Sequence, residues 1–113
     1  MLEKAQTLTD GTKVLASKLE AVEPKELRQV ADELRNRMGS GCLALASVNE
    51  GKVVMLTAVT KDLTEKYNAG ALLKEIGKVL GSKGGGKPDL AQAGGGDPAK
   101  LEEALDKFRE LVQ

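Results

Sequence analysis

The chain of 113 residues is long enough for one domain with a hydrophobic core, and its 41% hydrophobic and 30% charged residues are typical of a globular protein. Its formal net charge is zero, so an anionic partner must be met by a local basic patch rather than by an overall field. The absence of histidine removes the commonest general base and the imidazole metal ligand, and two aromatic residues are too few for a surface that stacks single-stranded bases.

Residues 12–22 predict the first strand. Leu15 and Leu19 fall on one face of an alternating pattern whose other face is charged, as in a half-exposed strand. Residues 1–11 are polar, and we interpret them as a loose or helical stub of a segment that is missing here. The globular domain is then expected to occupy residues 12–113.

A helix is predicted to begin at Glu23-Pro24 and to end at Gly39, since proline is accepted in a first helical turn and glycine is a common helix terminator. Its apolar positions form one stripe: Leu27, Val30, Ala31, Leu34 and Met38. The short apolar run 42–46 is typical of a strand buried on both faces. Residues 52–60 predict a second strand, joined to that run by a tight turn.

The second half of the chain predicts a helix, a short strand and a last helix. The helix covers roughly 65–80, and Gly77 weakens it by about 1 kcal/mol relative to alanine unless close packing requires glycine there. Residues 81–96 hold seven of the chain's 13 glycines and leave room for one short strand, 89–93. Asp97-Pro98 is a good start for the last helix. The complete order predicts a single α/β (α+β) domain, a small mixed sheet with helices packed on it.

The segment from Gly81 to Pro88 nearly spells a nucleotide-binding P-loop. Four residues separate Gly81 from Gly86-Lys87, but Pro88 replaces the Ser or Thr that would hold magnesium and also removes a backbone donor. The segment follows a predicted helix rather than a strand, and no pair of carboxylates stands out as an acid–base couple. We therefore expect no catalytic residue, no metal and no cofactor in this domain.

The same segment favours a phosphate-binding site. Backbone amides without side chains can approach a phosphate closely. Lys74 and Lys78 are four residues apart and share one face of the second predicted helix, while Lys83 and Lys87 flank the three glycines. A solvated lysine face is the competing interpretation for each lysine, and a mobile linker is the alternative for the glycines. The combination of both features predicts a site for a phosphate backbone.

The remaining candidates have simpler interpretations. Arg28, Arg35 and Arg37 lie among acidic residues on the first predicted helix, which indicates a solvated, ion-paired surface. Cys42 opens a buried apolar run and is expected to be a core residue. As the single cysteine it rules out an internal disulfide, and with no signal sequence at the start of the chain this predicts a cytoplasmic protein.

The run from Gly84 to Gly95, which reads GGGKPDLAQAGG, resembles the end of bacterial alanyl-tRNA synthetases, whose C-terminal domain is a member of the DHH-associated domain family. The likeness covers about 12–113 and includes the Tyr67-Asn68-Ala69-Gly70 approach to the second helix. It implies a non-catalytic domain of alanine–tRNA ligase that binds the outer corner of folded tRNAAla, beside the remaining domains of the synthetase, and helps aminoacylation and editing cooperate. The RNA-binding residues that follow from the motif and the lysines are Lys74, Lys78, Lys83, Gly84, Gly85, Gly86, Lys87, Gln92, Gly94 and Gly95.

Two departures from the family pattern leave alternatives open. A helical segment that contributes to oligomerisation normally precedes the domain, and at most eleven residues stand in its place here, so the oligomeric state is left open, with a homo-oligomer as one alternative. Lys87 occupies the position where the phosphodiesterase relatives carry a histidine, which favours the synthetase branch. The competing functions are a structural or oligomerisation module with incidental RNA contact and the substrate-binding domain of a DHH-type phosphodiesterase.

Overall fold

The computed structural model describes residues 6–7, 11–20 and 22–112, without the side chains of Gln6, Glu20 and Lys83. Its strands are β1 (Gln6–Thr7), β2 (Lys13–Glu20), β3 (Gly41–Asn49), β4 (Lys52–Val59), β5 (Lys83–Gly86) and β6 (Leu90–Gly94). Its α-helices are α1 (Pro24–Met38), α2 (Ala69–Leu80) and α3 (Leu101–Leu111). Most of the predicted N-terminal stub lies outside the described residues. The part of it that is described includes β1, which pairs with β2.

The strands form one six-stranded sheet in the order β1-β2-β3-β4-β6-β5. The β2–β3 pair is parallel, with α1 as its crossover connection, and the other neighbouring pairs are antiparallel. The sheet is therefore mixed, as the sequence predicted. Its order places β5, which carries the three consecutive glycines, at an edge.

Helices cover both faces of the sheet and create two cores. On the α1 face, side chains of the sheet such as Leu43 and Leu56 pack against Leu27 of α1. On the opposite face, which we call the α2–α3 face, Cys42 and its neighbours in the sheet pack against α2 and α3, including the fully buried Phe108. β3 contributes alternate residues to the two cores, so the prediction of a strand buried on both faces is confirmed.

The first strand is more buried than predicted. Val14 and Leu15 are both buried, on opposite faces of β2, because β1 and β3 flank this strand and helices lie on either side of the sheet. Only the later part of β2 shows the expected alternation, with Lys18 exposed and Leu19 half-buried. The predicted helix α1 is confirmed, and Gly39 at its C-terminal end has a φ of 77°, which glycine adopts without strain.

The helix α2 begins at Ala69, later than the residue 65 that the pattern predicts. The side chain of Asn68 accepts a hydrogen bond from the Ala71 amide at 3.1 Å and thereby caps the helix, while a 3-10 turn at Lys61–Leu63 uses part of the preceding segment. A Cβ on Gly77 would lie 3.2 Å from the backbone carbonyl of Ser82, so close packing explains this glycine.

The glycine-rich stretch forms a hairpin of two strands, β5 and β6, where the sequence predicted one. The expectation failed because glycine has low strand propensity and no side-chain pattern. Pairing with β6 and packing under α2 supply what the side chains do not. Within the described residues, no helix combines the length and apolar character that a membrane crossing requires.

Candidate nucleic-acid interface

β5 presents unpaired backbone groups along the edge of the sheet. The Lys87 amide donates to the Leu90 carbonyl at 2.8 Å. In an antiparallel pair every second residue directs its amide and carbonyl to the neighbouring strand, so Gly85, two residues before Lys87, also faces β6. The same alternation turns the amide and carbonyl groups of Gly84 and Gly86 away from β6, and the Gly86 carbonyl then faces Gly70 of α2. All three glycines are exposed. We call this outward-facing backbone of Gly84–Gly86 the glycine edge.

Close contacts explain two of its three glycines. A Cβ on Gly84 would lie 2.5 Å from the Cβ of Ala93, and one on Gly86 would lie 2.5 Å from the Leu90 carbonyl oxygen. Neither position can accept a side chain without movement of β6. A Cβ on Gly85 would meet nothing within 4 Å, because Gly85 faces open space on the α1 face. Glycine at 85 is therefore not required by packing.

The α2 lysines lie beside the glycine edge, on the α2–α3 face. A Cβ on Gly70 would lie 3.3 Å from the Gly86 carbonyl oxygen, so α2 approaches one end of β5 there and reaches the other end at Gly77. Lys74 lies on the same helical stripe, between these two glycines, and is exposed. Lys78 is also exposed, and its Nζ forms an ion pair with Glu75 at 3.2 Å.

The other predicted residues lie along the hairpin. Lys87 follows β5 directly and is exposed, and among the described residues its side chain has no ion pair or hydrogen-bond partner. Lys83 begins β5 and pairs with Gly94 at the opposite end of the hairpin, where Gly95 donates its amide to the Val53 carbonyl. Gln92 projects on the α1 face instead, and its Nε2 donates to the Pro24 carbonyl at 3.4 Å. The predicted set is thus divided between the two faces of the sheet.

A groove of about 260 Å³ lies on the α1 face, between α1 and the β5–β6 hairpin. Its lining includes Arg28 and Arg35, the backbone of Gly85 and Gly86, and Lys87. Sequence reasoning had assigned the two arginines to a solvated surface. Their seven-residue spacing did indicate that both lie on one side of α1. The spacing could not show that the crossover brings this side of the helix next to the β5–β6 hairpin.

The three arginines of α1 have different environments. Arg35 is largely buried and pairs with Asp32 and, at 3.6 Å, with the Asp89 carboxylate. Arg37 pairs with Glu33 at 2.9 Å on the exposed side of the helix, as the sequence predicted. Arg28 is exposed, and within the described part of the chain it has no ion pair or hydrogen-bond partner. It is therefore the one arginine of α1 without such a partner among the described residues, and Lys25 of the same helix also has none.

No reactive centre competes with this interface in the described residues. Burial raises the pKa of the Cys42 thiol to about 12, so the sulfur stays protonated at neutral pH. A hydrogen bond from Ser40, and a second from Thr60, lower the pKa of the exposed Asp62 carboxyl. No group of three potential His, Cys, Asp or Glu metal ligands occurs in the same part of the chain.

Comparisons with known proteins agree with this architecture. The DHHA1 domain family matches residues 11–113, and the chain belongs to that family. Within it, the chain matches the C-terminal, C-Ala domain of alanyl-tRNA synthetase: the crystal structure of that domain from Aquifex aeolicus has a TM-score of 0.88 and 38% identity, over 96% of this chain and 97% of that one. The resemblance found in the sequence is confirmed.

Two curated relatives carry the same name. The alanine–tRNA ligase of Anaeromyxobacter dehalogenans is 54% identical over 90% of this chain, and that of Myxococcus xanthus is 46% identical over 100%. The chain spans only 11% and 13% of their lengths, so it corresponds to an accessory part of an enzyme. A DHH-domain structure described as a member of the s1p family of ribosomal proteins, 14% identical with a TM-score of 0.65, shares the fold alone.

Proposed function

We propose that this domain binds the sugar–phosphate backbone of a folded RNA at the glycine edge, as the tRNA-binding C-terminal part of an alanine–tRNA ligase. The observation that carries the proposal is the position of the glycine edge next to Lys74 and Lys87, neither of which has an ion pair among the described residues. Lys87 continues the same strand, and Lys74 lies at the rim of α2 above it. Lysine neutralises a phosphate, and an exposed backbone amide donates a hydrogen bond to it.

The outward carbonyl of Gly84 favours RNA over other polyanions. Gly84 presents a carbonyl as well as an amide at the glycine edge, since both groups of such a residue point the same way in an antiparallel strand, whereas the Gly86 carbonyl faces Gly70 of α2. A ribose 2′-hydroxyl can donate to such a carbonyl while its neighbouring phosphate accepts from the amide. Deoxyribose offers no such donor.

The edge is less suited to a protein strand. An unpaired strand normally attracts another strand, and lysines and prolines at the edge oppose that pairing. Lys83 and Lys87 stand at the two ends of β5, and Pro88 follows immediately. A second copy pairing antiparallel here would bring lysines of both copies together.

The scarcity of aromatic side chains points to recognition of shape. The described residues include only Tyr67 and Phe108 as aromatics, both buried, so bases cannot stack on this surface. The partner that fits is the outer corner of folded tRNAAla, with the remaining domains of the synthetase as the protein partners. Such a contact would hold one tRNA while aminoacylation and editing act on it, in the cytoplasm. Weak binding by the isolated domain would be reinforced by the other tRNA-binding domains of the ligase.

The test is fluorescence anisotropy of labelled tRNAAla and of an unstructured RNA of equal length, each across a salt series. We expect tighter binding of the tRNA and a loss of affinity as salt rises. Equal affinity for both RNAs would contradict shape recognition. Absence of binding at low salt would overturn the proposal, and sedimentation at several concentrations would then test the alternative of an oligomerisation module.

A further inference from the structure

We infer that the groove between α1 and the hairpin is a second phosphate-binding site, in which Arg28 contacts a backbone segment of the RNA different from the one held by Lys74. We call this groove the second rim, and Lys74 beside the glycine edge the first rim. The inference rests on the proposed function and adds a site on the opposite face of the sheet. The glycine edge would then lie between two segments of one folded RNA.

The charges in the groove leave two cations uncompensated. Arg35 is balanced by Asp32 and Asp89, with which it forms ion pairs. Arg28 and Lys87 have no such partner among the described residues, and both line the same groove. A phosphate entering there would meet a guanidinium fork and an ammonium group without displacing an existing ion pair.

The groove is also preorganised. Arg35 donates to the Asp89 carbonyl at 3.1 Å, which holds the turn of the hairpin against the last turn of α1. Gln92 donates to the Pro24 carbonyl, which fixes β6 against the start of the same helix. Gly85 adds no side chain to the floor, so the space beside Arg28 stays open. These two contacts hold the hairpin turn and β6, though not β5 itself, and so reduce the entropy that is lost when a ligand binds beside Arg28.

The two rims are too far apart for consecutive phosphates of one strand. α1 and α2 lie on opposite faces of the sheet, so their axes are separated by on the order of 15 Å or more. Successive phosphates of a duplex strand advance by about 3.4 Å along the axis. Contact with Arg28 and Lys74 at once therefore requires phosphates that are not consecutive. A folded RNA holds such phosphates in fixed positions, whereas an unstructured RNA of equal length must lose conformational entropy to place them.

The experiment compares Arg28→Gln with Arg37→Gln, a matched loss of charge on the exposed side of the same helix, using labelled tRNAAla and the unstructured RNA. We expect Arg28→Gln to weaken tRNA binding roughly threefold to tenfold and to lower the salt slope by about one. Binding of the unstructured RNA should change little, and Arg37→Gln should resemble the wild type with both RNAs. A thermal melt checks that Arg28→Gln folds normally.

The outcomes separate this inference from the function on which it rests. Wild-type protein that binds neither RNA would overturn both. Wild-type protein that binds tRNA with an affinity unchanged by Arg28→Gln would overturn the second rim and leave the glycine edge intact. Equal losses for both RNAs would contradict the two-segment geometry. Arg28→Lys is expected to recover part of the affinity, because it restores the charge without the guanidinium fork.

Discussion

The guanidinium of Arg35 donates a hydrogen bond to the backbone carbonyl of Asp89 at 3.1 Å, across 54 positions of sequence. Arg35 belongs to the last turn of the first helix, and Asp89 to the Pro-Asp turn of the glycine motif. This hydrogen bond connects α1 directly to the turn of the β5–β6 hairpin. Together with the contact from Gln92 to the Pro24 carbonyl, it helps to set the width of the groove between them.

Replacing Arg35 should therefore loosen the hairpin. In Arg35→Gln the Asp89 carbonyl and the Asp32 carboxylate lose their charged partner, and we expect the free energy of unfolding to fall by about 1–2 kcal/mol. Urea denaturation followed by circular dichroism measures the loss. Arg37→Gln is the control, since its exposed ion pair with Glu33 should contribute at most about 0.5 kcal/mol. Equal stability of the two variants would show that the Arg35 contact does not hold the hairpin.

Alanine substitutions along β5 should give unequal results. Gly84→Ala and Gly86→Ala place a methyl group 2.5 Å from atoms of β6, so each should lower the free energy of unfolding by about 1–3 kcal/mol. Gly85→Ala meets no atom within 4 Å and should stay within about 0.5 kcal/mol of the wild type. Denaturant titrations of the three variants provide the comparison. A uniform effect would contradict the close pairing of β5 with β6.

The lysines at the glycine edge should control RNA affinity without affecting the fold. The double replacement Lys83→Gln with Lys87→Gln should weaken tRNA binding several-fold and reduce the salt slope by about one for each lost phosphate contact. Lys18→Gln, an exposed position on β2, which three strands separate from β5, serves as the control. Anisotropy measures binding, and a thermal melt should be unchanged in all variants. Unaltered affinity in the double variant would remove both lysines from the site.

Asp62 should make stability fall in acid. Hydrogen bonds from Ser40 and Thr60 lower the pKa of its carboxyl in the folded state, so the ionised group stabilises the fold above the ordinary aspartate pKa of about 3.9. That contribution is lost as pH falls through the lower, folded-state value. Denaturant unfolding at a series of acidic pH values should show a smaller decline for Asp62→Asn than for the wild type. Parallel curves would show that these hydrogen bonds do not favour the ionised form.

Cys42 should react with thiol reagents only after the protein opens. Burial raises its pKa to about 12, from an ordinary value of about 8.5, so little thiolate exists in the folded state at pH 8. Labelling with an aromatic disulfide reagent should be slow in buffer and fast in urea. The same shift predicts that the free energy of unfolding falls as pH rises from about 8.5 to about 12, because the thiol of the unfolded chain loses its proton at a lower pH than that of the folded protein. Rapid labelling of the native protein would contradict the burial.

The elements that were predictable from the sequence are those in which side chains alone set the pattern. The stripe from Leu27 to Met38 defined α1, and the apolar run at Cys42 defined β3. The start of α2 was misplaced because Asn68 acts as its cap, a local hydrogen bond that the apolar period does not report. β5 was missed because three glycines carry no pattern at all. The role of Arg28 depended on the crossover of α1 over the sheet, which spacing along one helix does not reveal.

The glycines of β5 have no side chains to place in either core, so backbone hydrogen bonds to β6 and contact with α2 hold this strand in place. Such a strand is expected to open locally long before β3 or β4 does, and its amide hydrogens should exchange with solvent early. A ligand at this edge would therefore select the closed form and give up part of its binding free energy to quench that motion. The glycine edge is open to a ligand, but the ligand must also order the strand. The affinity of the domain for that ligand is therefore set by the free energy of the contacts minus the free energy needed to order β5.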